Sequence, residues 1–409
     1  MYYQDKSADW LEQSLESYRA AFNLAAYVEK TYNSDEARLF LNKIKYGVHN
    51  KAIETCVELY NLTSRKDYLD IIYQFDQQNK ASILALNLQE NKIRRSSPGQ
   101  ENLFHEESSL RTNITRLSLQ AAQTTDSAKL SGLQAGIRDL EISLDKIQEK
   151  INSDPGFRLQ RNLENIPSPS ALEKMLDPHT ALLSYHLSEK EILILIIGAG
   201  KFDIRQIPVT PAFYDEVELF KSSLQNTNMD QRYAGNLAAM HLYQVLISPL
   251  EEKLKPVKRL IIIPDDELNY LPFEALQDEN REYLVNRFAV TYQYSTALLS
   301  NPDQRTIDGD NLAMAPFAGE KPAGVSGDEW SPLPASDHEI NQLKGKILLN
   351  KDATREAFLN NAGHYPVIHL ATHARVNNED PRQSYISFYP DSSGNKIFAG
   401  RFITCILTV

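Results

Sequence analysis

Apolar residues in the first 160 positions recur at steps of three and four. Leu11, Leu15, Tyr18 and Phe22 share one face of a helix, which needs a partner. Asn33-Ser34-Asp35-Glu36 supplies capping residues ahead of Ala37, Phe40, Leu41, Ile44 and Val48, and the same face continues through Ile53, Val57 and Tyr60, predicting a long second helix. After the polar turn Thr63 to Asp67, a third stripe comprises Tyr68, Leu69, Ile72, Phe75, Ile83 and Leu86. Ser96-Ser97-Pro98-Gly99 is a breaker, beyond which Leu110, Ile114, Leu117 and Ala121 begin another helix. Leu130, Leu133, Ile137, Leu140, Leu144, Ile147 and Ile151 then form the seam of a coiled coil. Its partner is either the preceding helix, folded back as a hairpin, or another molecule. Asp154-Pro155-Gly156 ends it.

From Ile166 the pattern changes. Ser170 and Glu173 read as a capping box for a short helix. Strand-like runs follow at Leu182 to His186, Glu191 to Ile197, Arg259 to Ile263, Ala289 to Tyr294 and Val367 to Leu370, with helical segments such as Arg232 to Leu246 and Thr354 to Asn361 between them. Alternation of this kind predicts an α/β domain, a largely parallel sheet flanked by helices. Unbroken apolar runs such as Ile192 to Ile197 suit strands buried on both faces. Proline agrees with the division: 2 of the 19 lie in the first 160 residues, so only that part is free to be nearly all helix.

Composition narrows the class. A chain of 409 residues, 42% hydrophobic and 24% charged, is globular and long enough for two or three domains. Its longest apolar stretch, Ile192 to Gly200, is far below the roughly 20 residues of a membrane helix, and the start lacks the basic and apolar regions of a secretory signal. Two cysteines, Cys56 and Cys405, argue against a disulfide framework and a Cys-rich zinc module, so a cytoplasmic location is expected. A net charge of -11 disfavours nucleic acid and anionic membranes as partners.

Gly198-Ala199-Gly200 follows a buried strand and mimics a dinucleotide-binding loop, but Asp203 stands where the third glycine belongs. Phe202, Ile204 and Ile207 then alternate as in a strand, so a hairpin is expected. Neither a Walker A loop nor a Gly-x-Ser-x-Gly elbow occurs. The informative segment is Val367-Ile368-His369-Leu370-Ala371-Thr372-His373-Ala374, a strand running into a turn. Ligands of parallel sheets bind beyond the carboxyl ends of strands, where His373 would project as a general base or serve a structural role. His369 is expected to pack or hydrogen-bond in the core. Two histidines four apart align as metal ligands on a helix, not on a strand, and the Glu of His-Glu-x-x-His is absent. No metal or cofactor is expected.

The run Leu260-Ile261-Ile262-Ile263-Pro264-Asp265-Asp266-Glu267-Leu268-Asn269-Tyr270-Leu271-Pro272-Phe273-Glu274-Ala275-Leu276 resembles the hallmark strand and loop of the CHAT family, caspase-like cysteine peptidases commonly fused to tetratricopeptide repeats. Leu333 to Ile340, Asp352-Ala353-Thr354 and His369 to His373 follow in that family's order. The resemblance implies a caspase-type α/β fold over residues 165–409, with His373 matching the catalytic histidine. The helices of residues 1–95 resemble a degenerate tetratricopeptide region, or form a plain helical bundle, and residues 96–157 form the coiled-coil hairpin. Family members attack a peptide carbonyl with a thiolate carried, downstream of the histidine, on a Ser-Ala-Cys-Glu-Thr-Gly-like turn. The chain stops at Val409 without such a turn, and Cys405 sits among Ile and Leu where an inert thiol is the default. The expectation is therefore a CHAT domain incomplete at its C-terminus and inactive, with a protein substrate or partner held by the helical repeats. The alternative is a non-catalytic protein-binding scaffold. Asp265-Asp266-Glu267 would favour a basic residue at the cleavage site, or form a solvated loop. Oligomeric state is not encoded legibly.

Overall fold

The computed structural model describes residues 8–31, 35–95, 101–124, 126–157, 166–198, 201–225, 236–299, 309–319, 331–377, 383–391 and 394–398. The chain forms two compact units, residues 1–87 with 163–301 and residues 88–162 with 302–409.

In the first unit, helices α1 (Ala8–Thr31), α2 (Asp35–Thr63) and α3 (Asp67–Asn79) pack in succession, and α4 (Ser82–Arg95) follows. Leu11, Leu15 and Phe22 of α1 and Ile53 and Val57 of α2 are buried as their spacing predicts. The first turns of α2 differ: Phe40 and Ile44 are 67% and 57% exposed, while Arg38 and Lys45 beside them are buried, bonded to Asn87 and paired with Glu29, so a polar face is the one these turns cover.

These helices meet a five-stranded sheet in the order β3-β2-β1-β4-β5, built from β1 (Thr180–Leu187), β2 (Glu191–Gly198), β3 (Lys201–Pro208), β4 (Arg259–Ile263) and β5 (Ala289–Tyr292). The pairs β1–β4 and β4–β5 are parallel, as expected; β1–β2 and β2–β3 are antiparallel, so the sheet is mixed. The reason is local, since the connections between β1, β2 and β3 are too short for crossovers. Gly198 pairs with Lys201, so the glycine motif is a hairpin end. One face of the sheet (Leu183, Tyr185, Ile194, Ile196) packs on α7 (Pro211–Gln225) and α8 (Asn236–Leu246) through Phe213, Phe220, Leu242 and Leu246. The other (Leu182, Leu193, Leu195, Ile197) packs with residues of α1–α3. The short helix Pro169–Met175 is capped by Ser168, whose Oγ accepts from Ala171 N at 3.2 Å, not by a Ser170–Glu173 box; Pro169 at the first helical position places the cap one residue earlier.

A polar seam crosses the contact between α3 and β1. Lys80, at the end of α3, places its Nζ 2.8 Å from Asp76 Oδ1 and donates to Ser184 Oγ (2.8 Å) and the Tyr185 carbonyl (2.6 Å). Ser184 donates to Asp76 (2.7 Å), and Gln77 bonds Ser184 on one side and the Thr296 backbone N–H on the other. Every member has a partner, the condition under which buried charge is tolerated. His49 of α2 is also buried and bonded through Nε2 to the Phe75 carbonyl. Burial, followed by the His186 and Lys45 charges, lowers its pKa to about 3.

In the second unit, α5 (Glu101–Gln123) and α6 (Ser127–Ser153) pack together as a hairpin. Asp126 caps α6 by accepting from Ala128 N and Lys129 N, and Leu144, Ile147 and Ile151 of the seam are buried, Ile147 and Ile151 beside Phe157 and Ile93. A three-stranded parallel sheet follows, in the order β7-β6-β8: β6 (Asn311–Ala315), β7 (Gly345–Leu349) and β8 (Val367–Leu370). Leu312 and Met314 face helix α10 (Arg355–Asn361) through Phe358, while Ala313 and Ala315 face α9 (Ser336–Asn341) through Ile340. Gly345 starts β7 at φ +128°, where a Cβ would stand 2.1 Å from the Asn311 carbonyl oxygen, so only glycine allows this pairing. A small antiparallel sheet, β11-β10-β9, closes the described residues: β9 (Ala374–Arg375), β10 (Tyr385–Ser387) and β11 (Lys396–Phe398).

Replacing Lys80 by Met leaves the Asp76 carboxylate buried without its cation, and should lower unfolding stability by about 3–5 kcal/mol, read by denaturant titration. His49 gives a pH signature. Below the ordinary histidine pKa of about 6.5 the unfolded chain takes a proton that the folded chain refuses until about pH 3. Stability from this residue is complete above pH 6.5 and falls as the pH drops, by at most about 1.4 kcal/mol per unit. His49→Gln should flatten the dependence of the melting temperature on pH between 6.5 and 4.

Candidate functional site

The connections of the second sheet run in opposite directions from β6: through α9 to β7 on one side, then through α10 across to β8 on the other. The change of direction falls between β6 and β8, and open α/β sheets bind ligands beyond the carboxyl ends of their strands at such a point. His373 stands there. Its strand is held to β6 by Ala371 N donating to the Met314 carbonyl at 2.9 Å, and to β10 by Ser387 N donating to the His373 carbonyl at 2.9 Å. Thr372 Oγ1 adds a bond to the Ser387 carbonyl at 2.7 Å.

The half-buried imidazole packs against Phe317, just past β6, with ring centroids 5.2 Å apart, and its Nε2 lies 2.7 Å from the Ser331 carbonyl. A carbonyl can only accept, so Nε2 carries the proton of the neutral ring. Nδ1 therefore holds the lone pair, and no described residue bonds to it. Ser331 is placed by the chain that follows it, where Leu333 N donates to the Phe317 carbonyl at 2.7 Å. The result is an imidazole held in one orientation just past the carboxyl end of β8.

His369 departs from expectation. It lies in β8 but is on the surface, its Nε2 2.6 Å from Glu339 Oε1, because β8 is an edge strand and its residues are only partly covered. His369 and His373 thus turn to different partners, and no three His, Cys, Asp or Glu among the described residues group as metal ligands. Cys56 lies in α2 of the first unit, fully buried, and burial pushes its thiol up to about 12, so it is unreactive at neutral pH. Cys405 lies outside the described residues.

The four sequence motifs divide between the units. Leu333 to Ile340 leads into α9, where Ser336 Oγ donates to the Leu333 carbonyl at 2.6 Å and Glu339 receives His369. In Asp352-Ala353-Thr354, Thr354 Oγ1 caps α10 by accepting from Ala357 N at 3.1 Å. The run Leu260 to Leu276 belongs to the first unit, where Leu268, Leu271, Phe273 and Leu276 are buried in the core beneath α7 and α8. Its acidic cluster is mostly committed. Asp265 Oδ2 accepts from Leu187 N at 3.0 Å and lies 3.4 Å from His186 Nδ1, while Glu267 pairs with Lys221 at 3.2 Å. Burial opposes ionisation of Asp265, but the His186 hydrogen bond and the Lys80 charge outweigh it and hold the carboxyl below its ordinary range. Asp265 is therefore a latch between β4 and β1, not a pocket for a basic side chain.

Compared with protein-family models, residues 237–406 match the CHAT domain. A search of curated proteins found no match. No described helix is long and apolar enough to cross a membrane.

Asp265→Asn tests the latch. A carboxyl with a depressed folded pKa stabilises fully above its unfolded pKa of about 3.9 and loses that contribution as pH falls toward the folded value. The variant should be less stable at pH 7 by about 1–3 kcal/mol, and the gap should narrow below pH 4, measured by urea unfolding at both pH values.

Proposed function

From the premise that the chain is a CHAT-domain protein, we propose that it serves a caspase-like cysteine-peptidase chemistry in which His373 manages protons. The partner protein is recognised by the helical region ahead of the domain, which resembles tetratricopeptide repeats. What supports this reading is the orientation of one side chain. Nε2–H donates to the Ser331 carbonyl and Phe317 packs beside the ring, so Nδ1 is the basic atom. Such a nitrogen draws a proton from a thiol, which attacks a peptide carbonyl to give a thioester and a protonated amine. The same nitrogen, protonated in the first step, supplies that proton to the leaving amine, then activates water to release the acyl group. Neither step needs a cofactor.

A second reading, a non-catalytic protein-binding scaffold, is favoured by a different observation. The one cysteine among the described residues, Cys56, is sealed in a helical core and too weakly acidic to serve as the nucleophile.

The two readings separate on thiol reactivity. Under the peptidase reading, iodoacetamide followed by mass spectrometry should find a cysteine alkylated at neutral pH while Cys56 stays silent. His373→Ala should slow that alkylation and lower kcat/KM on a peptide library by about 10²–10⁴-fold. Absence of both a His373-dependent thiol and any hydrolysis would establish the scaffold.

A further inference from the structure

The strand that follows His373 carries an edge that no described residue pairs with. Ser387 N donates to the His373 carbonyl, and Asn377 N donates to Ser384 Oγ at 2.9 Å, so positions 373, 375 and 377 turn their backbone groups toward β10. Alternation along a strand then turns the N–H and C=O of Ala374 and Val376 outward. Both residues are exposed, Val376 to 69%, and among the described residues β9 is the last strand of its sheet. An open edge of this kind is a template for another extended chain.

The register also sorts side chains. Ile386 and Ile397 point into the core with Phe358 and Phe388. The opposite face carries His373, just ahead of β9, and Arg375 of β9, Tyr385 opposite Arg375, and Lys396, whose Nζ sits 4.0 Å from the centre of the Tyr385 ring. Arg375 is exposed and has no carboxylate partner among the described residues. In a chain of net charge -11, the catalytic histidine thus shares its face with two cations.

We propose that the outer edge of β9 binds an acidic, extended segment of a protein substrate as an added antiparallel strand. The segment hydrogen-bonds to the backbone of Ala374 and Val376 and sets a Glu or Asp opposite Arg375. That pair is of the non-hydrogen-bonded type, in which side chains lie closest. The residue facing His373 then stands two positions after the acid. This substrate class deepens the peptidase reading and rests on it for the role of His373.

Two fluorescein-labelled Ser/Thr octapeptides, one with a single central Glu and one with Lys in its place, test the proposal by anisotropy and by hydrogen exchange over residues 372–377. The Glu probe should bind about two- to fivefold more tightly, as an exposed charge pair allows, and should protect the Ala374 and Val376 amides. Arg375→Glu should reverse the preference. Val376→Pro removes an outward donor and should abolish binding. N-methylation of the probe backbone should do the same with the protein untouched, which covers a Val376→Pro chain that fails to fold. Equal binding of the two probes, or protection elsewhere, overturns the proposal. So does a Val376→Pro chain that changes from dimer to monomer with probe affinity intact, since a second copy would then occupy the edge. Binding retained by His373→Ala, with no hydrolysis by either protein, would sink the peptidase reading and leave the docking edge standing.

Discussion

A strand paired on both edges inside a sheet covered on both faces has no side left for water, and this constraint organises both units. In the first, β1 lies between β2 and β4, and all eight of its residues are buried. In the second, β6 lies between β7 and β8, with Leu312 and Met314 on one face and Ala313 and Ala315 on the other. The two alanines let α9 approach that face closely. Where a polar side chain enters such a strand it must find its partners inside. Ser184 of β1 does so through Asp76, Gln77 and Lys80, and this is why a charged pair on α3 is part of the core. The helices ahead of the sheet supply its second cover, so α1 to α3 share a core with β1–β4.

The same logic explains the hallmark run after β4. Its leucines and phenylalanine fill the space under α7 and α8, while its first acid fastens the end of β4 to the end of β1. The motif is conspicuous because it must satisfy a core and a backbone N–H within a few residues. Its chemistry is architectural, whereas His373, the proposed base, is carried by a plain strand end elsewhere in the chain.

Much of this was legible in advance. The stripes of α1 and α3 bury largely the residues their periods select, the stripe of α2 and the seam of α6 bury theirs only in the later turns, and the runs at Ile192 and Leu260 are core strands. β6 was missed because Asn-Leu-Ala-Met-Ala holds no β-branched residue and no alternation. β9 to β11 are two or three residues each, too short for any period. Phe40 and Ile44 follow the helical period yet face outward, since periodicity names a face and not what covers it. At the site, resemblance pointed to His373, and the strand end placed it. The Ser331 carbonyl that orients it left no trace in the sequence, because every residue but its geometry could provide that acceptor.

Cys56 turns the interior of the first unit into a clock. Its thiol is fully buried and burial pushes its pKa up to about 12, so a disulfide reagent at pH 8 meets it only when the helices and strands packed around it part. The pace of modification of a Cys405→Ser chain would then count those openings one by one. It would show whether the helical cover breathes alone or comes away only with the collapse of the whole unit.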